Sequence, residues 1–324
     1  MKMNHLIAKA LCARQLGANI LPHRCTAATS SLKRLASVSR SSSSLARHPG
    51  TRRATFIGTS QRFISNRTSP LMMMASPKGE EILAALSNKQ QTGQNVELAV
   101  EALANADAVC FDVDSTVIDE EGIDVLADFL GQGEAVAALT KKAMEGSQKF
   151  QDALKDRLEL MKPSKQSIEK CLTETPLKFT PGVEELIESL TEKGVDVYLV
   201  SGGFRIMIEP IAKKLCVARD RIYANTIYFD EDGNYTGFDP NEPTSRDMGK
   251  PKALEIIKKA GNYSTMVMVG DGATDAQAKP PANAFIGFGG IVVRSAVKEK
   301  ADWFVTDFKD MTEIIKKYAA PKLK

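Results

Sequence analysis

The chain has 324 residues and a formal net charge of +3 that hides a strong segregation: residues 1–79 carry thirteen Lys and Arg with no Asp or Glu, and the remainder carries 30 basic and 40 acidic side chains, a net of −10. All three histidines (His5, His23, His48) lie in the basic part, so the rest of the chain excludes Ser-His-Asp and Cys-His nucleophiles, histidine-based zinc hydrolysis and phosphohistidine chemistry, and leaves acid–base work to carboxylates, Lys, Tyr or Cys. Beyond the basic part, Cys110, Cys171 and Cys216 form no C-x-x-C pair, a pattern that suits buried thiols in a reducing compartment better than disulfides or a zinc site.

The N-terminal stretch is Arg- and Ser-rich, with the run Ser41–Ser44, and its first acid is Glu80. We read residues 1–75 as a disordered organellar transit peptide, cleaved near Met72–Ser76. The Ser-rich middle leans to a plastid (chloroplast), whereas a basic amphipathic helix over Met1–Leu21 would suit a mitochondrion. The Ser content and the abrupt change at Glu80 favour import over a nucleic-acid-binding arm. No apolar run of about 18 residues occurs, so no membrane span is expected.

After helical periodicity over Glu80–Ala106, the apolar run Ala108–Phe111 predicts a strand buried on both faces and leads into Asp112-Val113-Asp114-Ser115-Thr116. From Glu120 to Glu174 the periodicity is helical throughout, which is too long for a simple connection and predicts a helical cap inserted after the first strand. Thr180-Pro181-Gly182-Val183-Glu184 predicts a capping box opening a helix that Gly194 ends. Val195–Val200 predicts a second buried strand followed by a Ser201-Gly202-Gly203 loop, then a helix from Arg205 to about Leu215. Alternation over Ile222–Phe238 around Asp232-Gly233 predicts a β-hairpin, and Lys252–Ala260 a helix. Met266–Gly270 predicts a third buried strand, ending at Asp271-Gly272-Ala273-Thr274-Asp275; short strands at Ala284–Val293 and Trp303–Val305 and a helix over Met311–Tyr318 follow. The alternation implies an α/β fold, a doubly wound parallel sheet with a Rossmann-like core (residues 76–119 and 176–324) and an inserted helical cap (residues 120–175).

Ligands of such sheets bind at the carboxyl ends of the strands, where Asp112, Ser201 and Asp271 all fall. Two carboxylates at i and i+2 on an extended backbone point the same way and repel unless a cation lies between them. A hard divalent metal, Mg²⁺, answers this, with carboxylate oxygens from Asp112 and Asp271 and the main-chain carbonyl of Asp114. Ser201 with the amides around Gly202 and Gly203, plus the Ser115 and Thr116 backbone, offers a phosphate cradle, and Lys250 a point positive charge. Phosphoryl transfer needs little else, and a carboxylate nucleophile would split hydrolysis into two steps. Gly287-x-Gly289-Gly290 imitates a dinucleotide fingerprint but lacks the helix and downstream acid such a site requires.

The order D-x-D-S-T, S-G-G, a lone Lys and G-D-G-x-x-D resembles the four-motif pattern of haloacid-dehalogenase-type phosphatases. The spelling of Val109–Val117, Glu121–Asp124, Ser201–Arg205, Gly270–Asp275 and Ala284–Gly290 is similar to the eukaryotic phosphoserine phosphatase family. The resemblance covers roughly residues 95–318 and implies Mg²⁺-dependent hydrolysis of O-phospho-L-serine through a phosphoaspartate, the last step of serine biosynthesis. It implies Asp112 as nucleophile, Asp114 as general acid and then base, and Asp112, Asp114 and Asp271 around the metal. Ser201, Gly202, Gly203, Lys250 and Thr274 would bind the phosphate end, with Asp275 orienting Lys250 and Thr116 in support. Glu121 would take the substrate ammonium, Arg157 its carboxylate, and Met144 and Phe150 would close the pocket. Thr274 stands where some relatives have Asn, and Pro251 where Gly is more usual. The family suggests a homodimer. The alternatives are a related phosphatase or phosphotransferase acting on another small phosphomonoester, which would not need opposite charges at Glu121 and Arg157, and a non-catalytic phosphate-binding relative, of which a receiver-type switch would lack both the helical cap and the second acid, Asp114.

Overall fold

The computed structural model describes residues 81–82, 92–144 and 148–322, without the side chains of 143 and 144. The segment read as a transit peptide, residues 83–91 of the helical stretch expected over Glu80–Ala106 and the side chain of Met144 therefore lie outside the described residues.

Among the described residues eight strands occur in chain order: β1 (Ala108–Phe111), β2 (Asp196–Phe204), β3 (Ile222–Asn225), β4 (Ile227–Phe229), β5 (Tyr235–Phe238), β6 (Met266–Gly270), β7 (Ala284–Phe288) and β8 (Trp303–Val305). Six of them form one sheet in the order β3-β2-β1-β6-β7-β8, with every neighbouring pair parallel. All residues of β1, β6 and β7 are buried, as continuous apolar runs require when helices cover both faces. Alternate side chains serve opposite faces: Val109, Phe111, Val267 and Val269 join one apolar cluster, and Ala108, Cys110, Met266 and Met268 the other. The strand order reverses at β1, which places the crevice of the fold at its carboxyl end.

Helix α1 (Val96–Ala104) precedes β1. Between β1 and β2 come α2 (Gly122–Phe129), α3 (Gly133–Met144), α4 (Phe150–Met161) and α5 (Lys165–Glu174). The two strands of chain leading into and out of this block pair with each other at Ile118 and Phe179. Helix α6 (Val183–Glu192) buries Val183, Leu186, Ile187 and Leu190, an i, i+3, i+4, i+7 face. The remaining helices are α7 (Arg205–Lys214), α8 (Gly249–Gly261), α9 (Ala273–Gln277), α10 (Ser295–Lys300) and α11 (Phe308–Tyr318). On α11, Phe308 stacks on Phe288 at 4.1 Å and meets Phe111 edge-on, seating the C-terminal helix against the sheet.

Five local expectations need correction. The Thr180 capping box does not form: α6 starts at Val183 after Gly182 turns left-handed (φ 86°), and the buried Thr180 hydroxyl has no hydrogen-bond partner among the described residues. Ser201-Gly202-Gly203 is the end of β2 rather than a loop after it, because β2 runs to Phe204 with an irregular pairing to β3 beyond Val200. Ile222–Phe238 is not one hairpin; β3 joins the main sheet, and only β4 and β5 pair antiparallel. Met248 adopts left-handed φ (57°), so α8 begins at Gly249 and Lys250 sits in its first turn, not before it. Finally, Cys110 and Cys171 are free and buried, but Cys216 is disulfide-bonded, contrary to the expectation of three unpaired thiols.

Candidate active site

β1 ends at Phe111, and Asp112 continues its ladder by one bond, donating its N–H to the Val269 carbonyl at 2.9 Å. Asp112 (φ −64°, ψ 160°) and Asp114 (φ −65°, ψ 134°) keep extended backbone angles, so both carboxylates face one cavity. Ser115 then flips to left-handed φ (52°), a conformation that costs a non-glycine residue roughly 1–2 kcal/mol, and its N–H donates to the Glu120 carbonyl. This tight reversal carries the chain up towards α2 and brings Glu121 back over the carboxylates. The cavity, about 850 Å³, is bounded below by the ends of β1, β2 and β6 and above by α2 and α4.

Three of the predicted groups are locked together at its floor. Lys250 Nζ lies 2.7 Å from Asp112 Oδ2 and 2.5 Å from Asp275 Oδ1, and all three residues are buried. Burial opposes a charge on Lys250, but Asp112 and Asp275 more than offset it and hold the ammonium protonated above its ordinary range. Asp275 also accepts from the Gly272 N–H at 2.9 Å, which fixes it at the start of α9.

Asp114 is differently placed. Its Oδ1 accepts from the Gly122 N–H at 2.7 Å and its Oδ2 from the Ser201 hydroxyl at 3.0 Å. Burial first, then the charges of Asp112 and Glu121, push its carboxyl up to about 7, against the pull of those two hydrogen bonds. A Cβ on Gly203 would come within 2.9 Å of Asp114 Oδ2 and 3.0 Å of Ser201 Oγ, so the third residue of S-G-G has to be glycine for the carboxylate to reach the hydroxyl.

Carboxylate oxygens of Asp112, Asp271 and Asp275 lie within 4.8 Å of one another, all buried. Thr116 Oγ1 reaches Asp271 Oδ1 at 3.4 Å. Such a cluster of hard oxygen donors has the chemistry of a divalent-cation site. Asp114's carboxylate is not part of the cluster, being turned to Gly122 and Ser201, which leaves its main-chain carbonyl as the atom it could offer.

On the upper wall, Glu121 Oε1 accepts from Ser115 Oγ at 2.8 Å, and burial raises its pKa. Arg157, from α4, faces the cavity; its Nε donates to the Ala153 carbonyl at 3.1 Å, and burial lowers its pKa against the opposing charges of Asp124 and Glu121. Phe150 lies over Gly202, its ring 3.0 Å from where a Cβ on that glycine would sit, and Thr274 lines the opposite rim. Of the predicted residues with described side chains, all line the cavity or bond directly to one that does.

Sequence reasoning missed Arg294, which ion-pairs with Asp271 and lies 3.5 Å from Glu121 Oε1. It follows the Gly287–Gly290 run, and no motif spacing marked it. Asp247 was also missed: its Oδ1 accepts from the Phe150 N–H at 3.1 Å, capping α4 from the opposite side of the cavity mouth.

The haloacid dehalogenase-like hydrolase family matches residues 106–279. The phosphoserine phosphatase of Bos taurus is 49% identical over 207 residues, which span 64% of this chain and 92% of that protein. The chloroplastic phosphoserine phosphatase of Arabidopsis thaliana is 49% identical over 209 residues, 64% of this chain and 71% of that protein. Among solved structures, a phospho-aspartyl intermediate analogue of phosphoserine phosphatase superposes with a TM-score of 0.56 at 32% identity, covering 64% of this chain and 98% of its own.

Proposed function

The chain belongs to the haloacid dehalogenase-like hydrolases, and within them to the phosphoserine phosphatases; from that premise we propose that it hydrolyses O-phospho-L-serine to L-serine and phosphate through a phosphoaspartate on Asp112. The observation that carries this reading is the buried junction of Asp112, Lys250 and Asp275 beneath Asp114. Lys250 pairs with Asp112 Oδ2, while Asp112 Oδ1 accepts from the Val113 N–H at 2.7 Å, so the carboxylate is held by both oxygens at the cavity floor.

In the first half-reaction an Asp112 oxygen bonds to phosphorus as the serine oxygen–phosphorus bond breaks, and Asp114 gives its proton to the departing oxygen. A carboxyl pushed up to about 7 is protonated enough near neutral pH to do so. In the second half-reaction Asp114, now ionised, takes a proton from water, whose oxygen bonds to phosphorus and releases Asp112 and phosphate. Lys250, the amides at Gly202 and Gly203, and Ser201 neutralise and orient the phosphoryl oxygens. Mg²⁺ suits the oxygen donors present, Asp112 and Asp271 with the Asp114 carbonyl, and when bound supplies positive charge against the transferring group. Glu121 and Arg157 offer opposite charges on the upper wall, which an α-amino acid needs and a sugar phosphate does not.

The same reading takes residues 76–119 and 176–324 as the catalytic core and 120–175 as its cap, a homodimer as the assembly, and a plastid as the destination. The last is supported by the acid-free, Ser- and Arg-rich N-terminus and by the chloroplastic Arabidopsis relative. A panel of phospho-amino acids and sugar phosphates, assayed for phosphate release with and without Mg²⁺, tests the function. Mg²⁺-dependent release from phosphoserine well above the sugar phosphates is expected. Preference for a phosphomonoester without an ammonium and carboxylate would overturn the substrate assignment.

A further inference from the structure

Asn225 ends β3, an edge strand of the main sheet, and its polar side chain is fully buried (0% exposed). Both halves of the amide are used. Nδ2 donates to the Gly202 carbonyl at 2.7 Å, and Oδ1 accepts from the Thr244 hydroxyl at 3.0 Å. That pairing fixes which way the amide points, since the flipped form would set oxygen against oxygen.

The Gly202 carbonyl and the Gly203 N–H belong to one rigid peptide unit. The N–H side donates to Ser201 Oγ at 2.8 Å, and Ser201, its lone pair so occupied, turns its own proton to Asp114 Oδ2 at 3.0 Å. A single chain of hydrogen bonds therefore runs from Thr244 through Asn225, across the Gly202–Gly203 peptide, through Ser201 to Asp114. At its other end, Thr244 belongs to the short turn Pro243–Ser245 that packs beneath Gly249. A Cβ on Gly249 would fall 2.5 Å from the Pro243 carbonyl and 2.9 Å from the Thr244 Cα, so the position of this turn sets that of Lys250 next along the chain.

We propose that Asn225 is a positioning residue for phosphoryl transfer: it ties the phosphate-facing peptide of β2 to the Pro243–Ser245 turn on which the start of α8, with Lys250, is seated, and so sets the spacing between the two halves of the phosphate site. It touches none of the reacting atoms. Among the described side chains Asn225 bonds both to S-G-G, at the Gly202 carbonyl, and to the turn on which Gly249 is packed, at the Thr244 hydroxyl. The Thr244 hydroxyl enters the chain by donating to Asn225 Oδ1.

The proposal rests on the phosphatase reading for its assay, and the wild-type protein separates the two. If wild type releases no phosphate from phosphoserine, the function has failed; if it does, the variants judge Asn225 alone. Asn225→Ala, Thr244→Val, Thr244→Ser and the double variant Asn225→Ala/Thr244→Val are compared for kcat, KM, inhibition by inorganic phosphate and melting temperature. Losing a buried hydrogen-bond partner should lower kcat/KM about five- to a hundredfold in Asn225→Ala, with weaker inhibition by phosphate. Thr244→Val should lose less in the same direction, and Thr244→Ser, which keeps the hydroxyl, should match wild type. The double variant should equal Asn225→Ala within about twofold, the signature of two residues acting in series. Multiplicative losses in the double variant would overturn the proposal, as would a lower melting temperature with kcat/KM and phosphate inhibition unchanged. If Asn225→Ala does not fold, the contrast between Thr244→Val and Thr244→Ser decides: equal kinetics in those two would refute the relay.

Discussion

Replacing Asp114 by Asn should abolish turnover and, in the metal-free protein, raise stability in alkaline solution. In the folded chain burial, Asp112 and Glu121 push the Asp114 carboxyl up to about 7. In the unfolded chain the same group titrates near its ordinary value of about 3.9, a difference of roughly three pH units or about 4 kcal/mol. The folded pKa is the higher one, so the group's favourable contribution is complete below about pH 4 and is lost as pH rises through about 7. An Asn of the same shape keeps an acceptor for the Gly122 N–H and carries no charge at any of these pH values. The advantage of Asp114→Asn over wild type should therefore grow by about 2–3 kcal/mol between pH 5 and pH 8, on the same scale of about 1.4 kcal/mol per pH unit. Urea unfolding of both proteins in the presence of a chelator, at these two pH values, measures it. A stability difference that is constant with pH, or that favours wild type more at pH 8, would refute the argument.

Lys250→Met removes the cation shared by two buried carboxylates; activity should fall by at least about a hundredfold and stability by about 3–5 kcal/mol, read by phosphate release and by unfolding in chelator. Arg157→Ala should raise KM for phosphoserine about tenfold or more with a smaller change in kcat, because a guanidinium on the upper wall holds the carboxylate in ground and transition states alike; a lower kcat at unchanged KM would contradict that role. Asp247→Ala removes the carboxylate that caps α4 from across the cavity mouth, and should raise KM by about two- to fivefold, while Asp247→Asn, still able to accept from the Phe150 N–H, should stay near wild type.

What the sequence made legible was the chemistry at strand ends. Buried apolar runs such as Ala108–Phe111 and Met266–Gly270 are short, continuous and followed at once by acids, so strand and site were read together. Features set by tertiary contact stayed hidden. Thr180-Pro181-Gly182 spells a helix start, but a left-handed Gly182 delays the helix to Val183. Arg294 meets Glu121 and Asp271 only because the segment after β7 folds back over β6, and nothing in the local spelling at Val293-Arg294-Ser295 signals it. Asn225 likewise looked like one residue of a hairpin, and only the placement of β3 beside β2 reveals the partners of its amide.

The central claim is that the Asp112 carboxylate takes the phosphoryl group. The most direct measurement is rapid acid quench of the enzyme turning over phosphoserine with Mg²⁺, followed by mass spectrometry of the peptide that contains Asp112. A phosphoryl adduct of about 80 Da confined to Asp112, absent in Asp112→Asn and accumulating in a variant impaired only in the water-activating step, is the result expected from covalent catalysis. Full turnover with no adduct at any quench time, or an adduct on another side chain, would contradict the account.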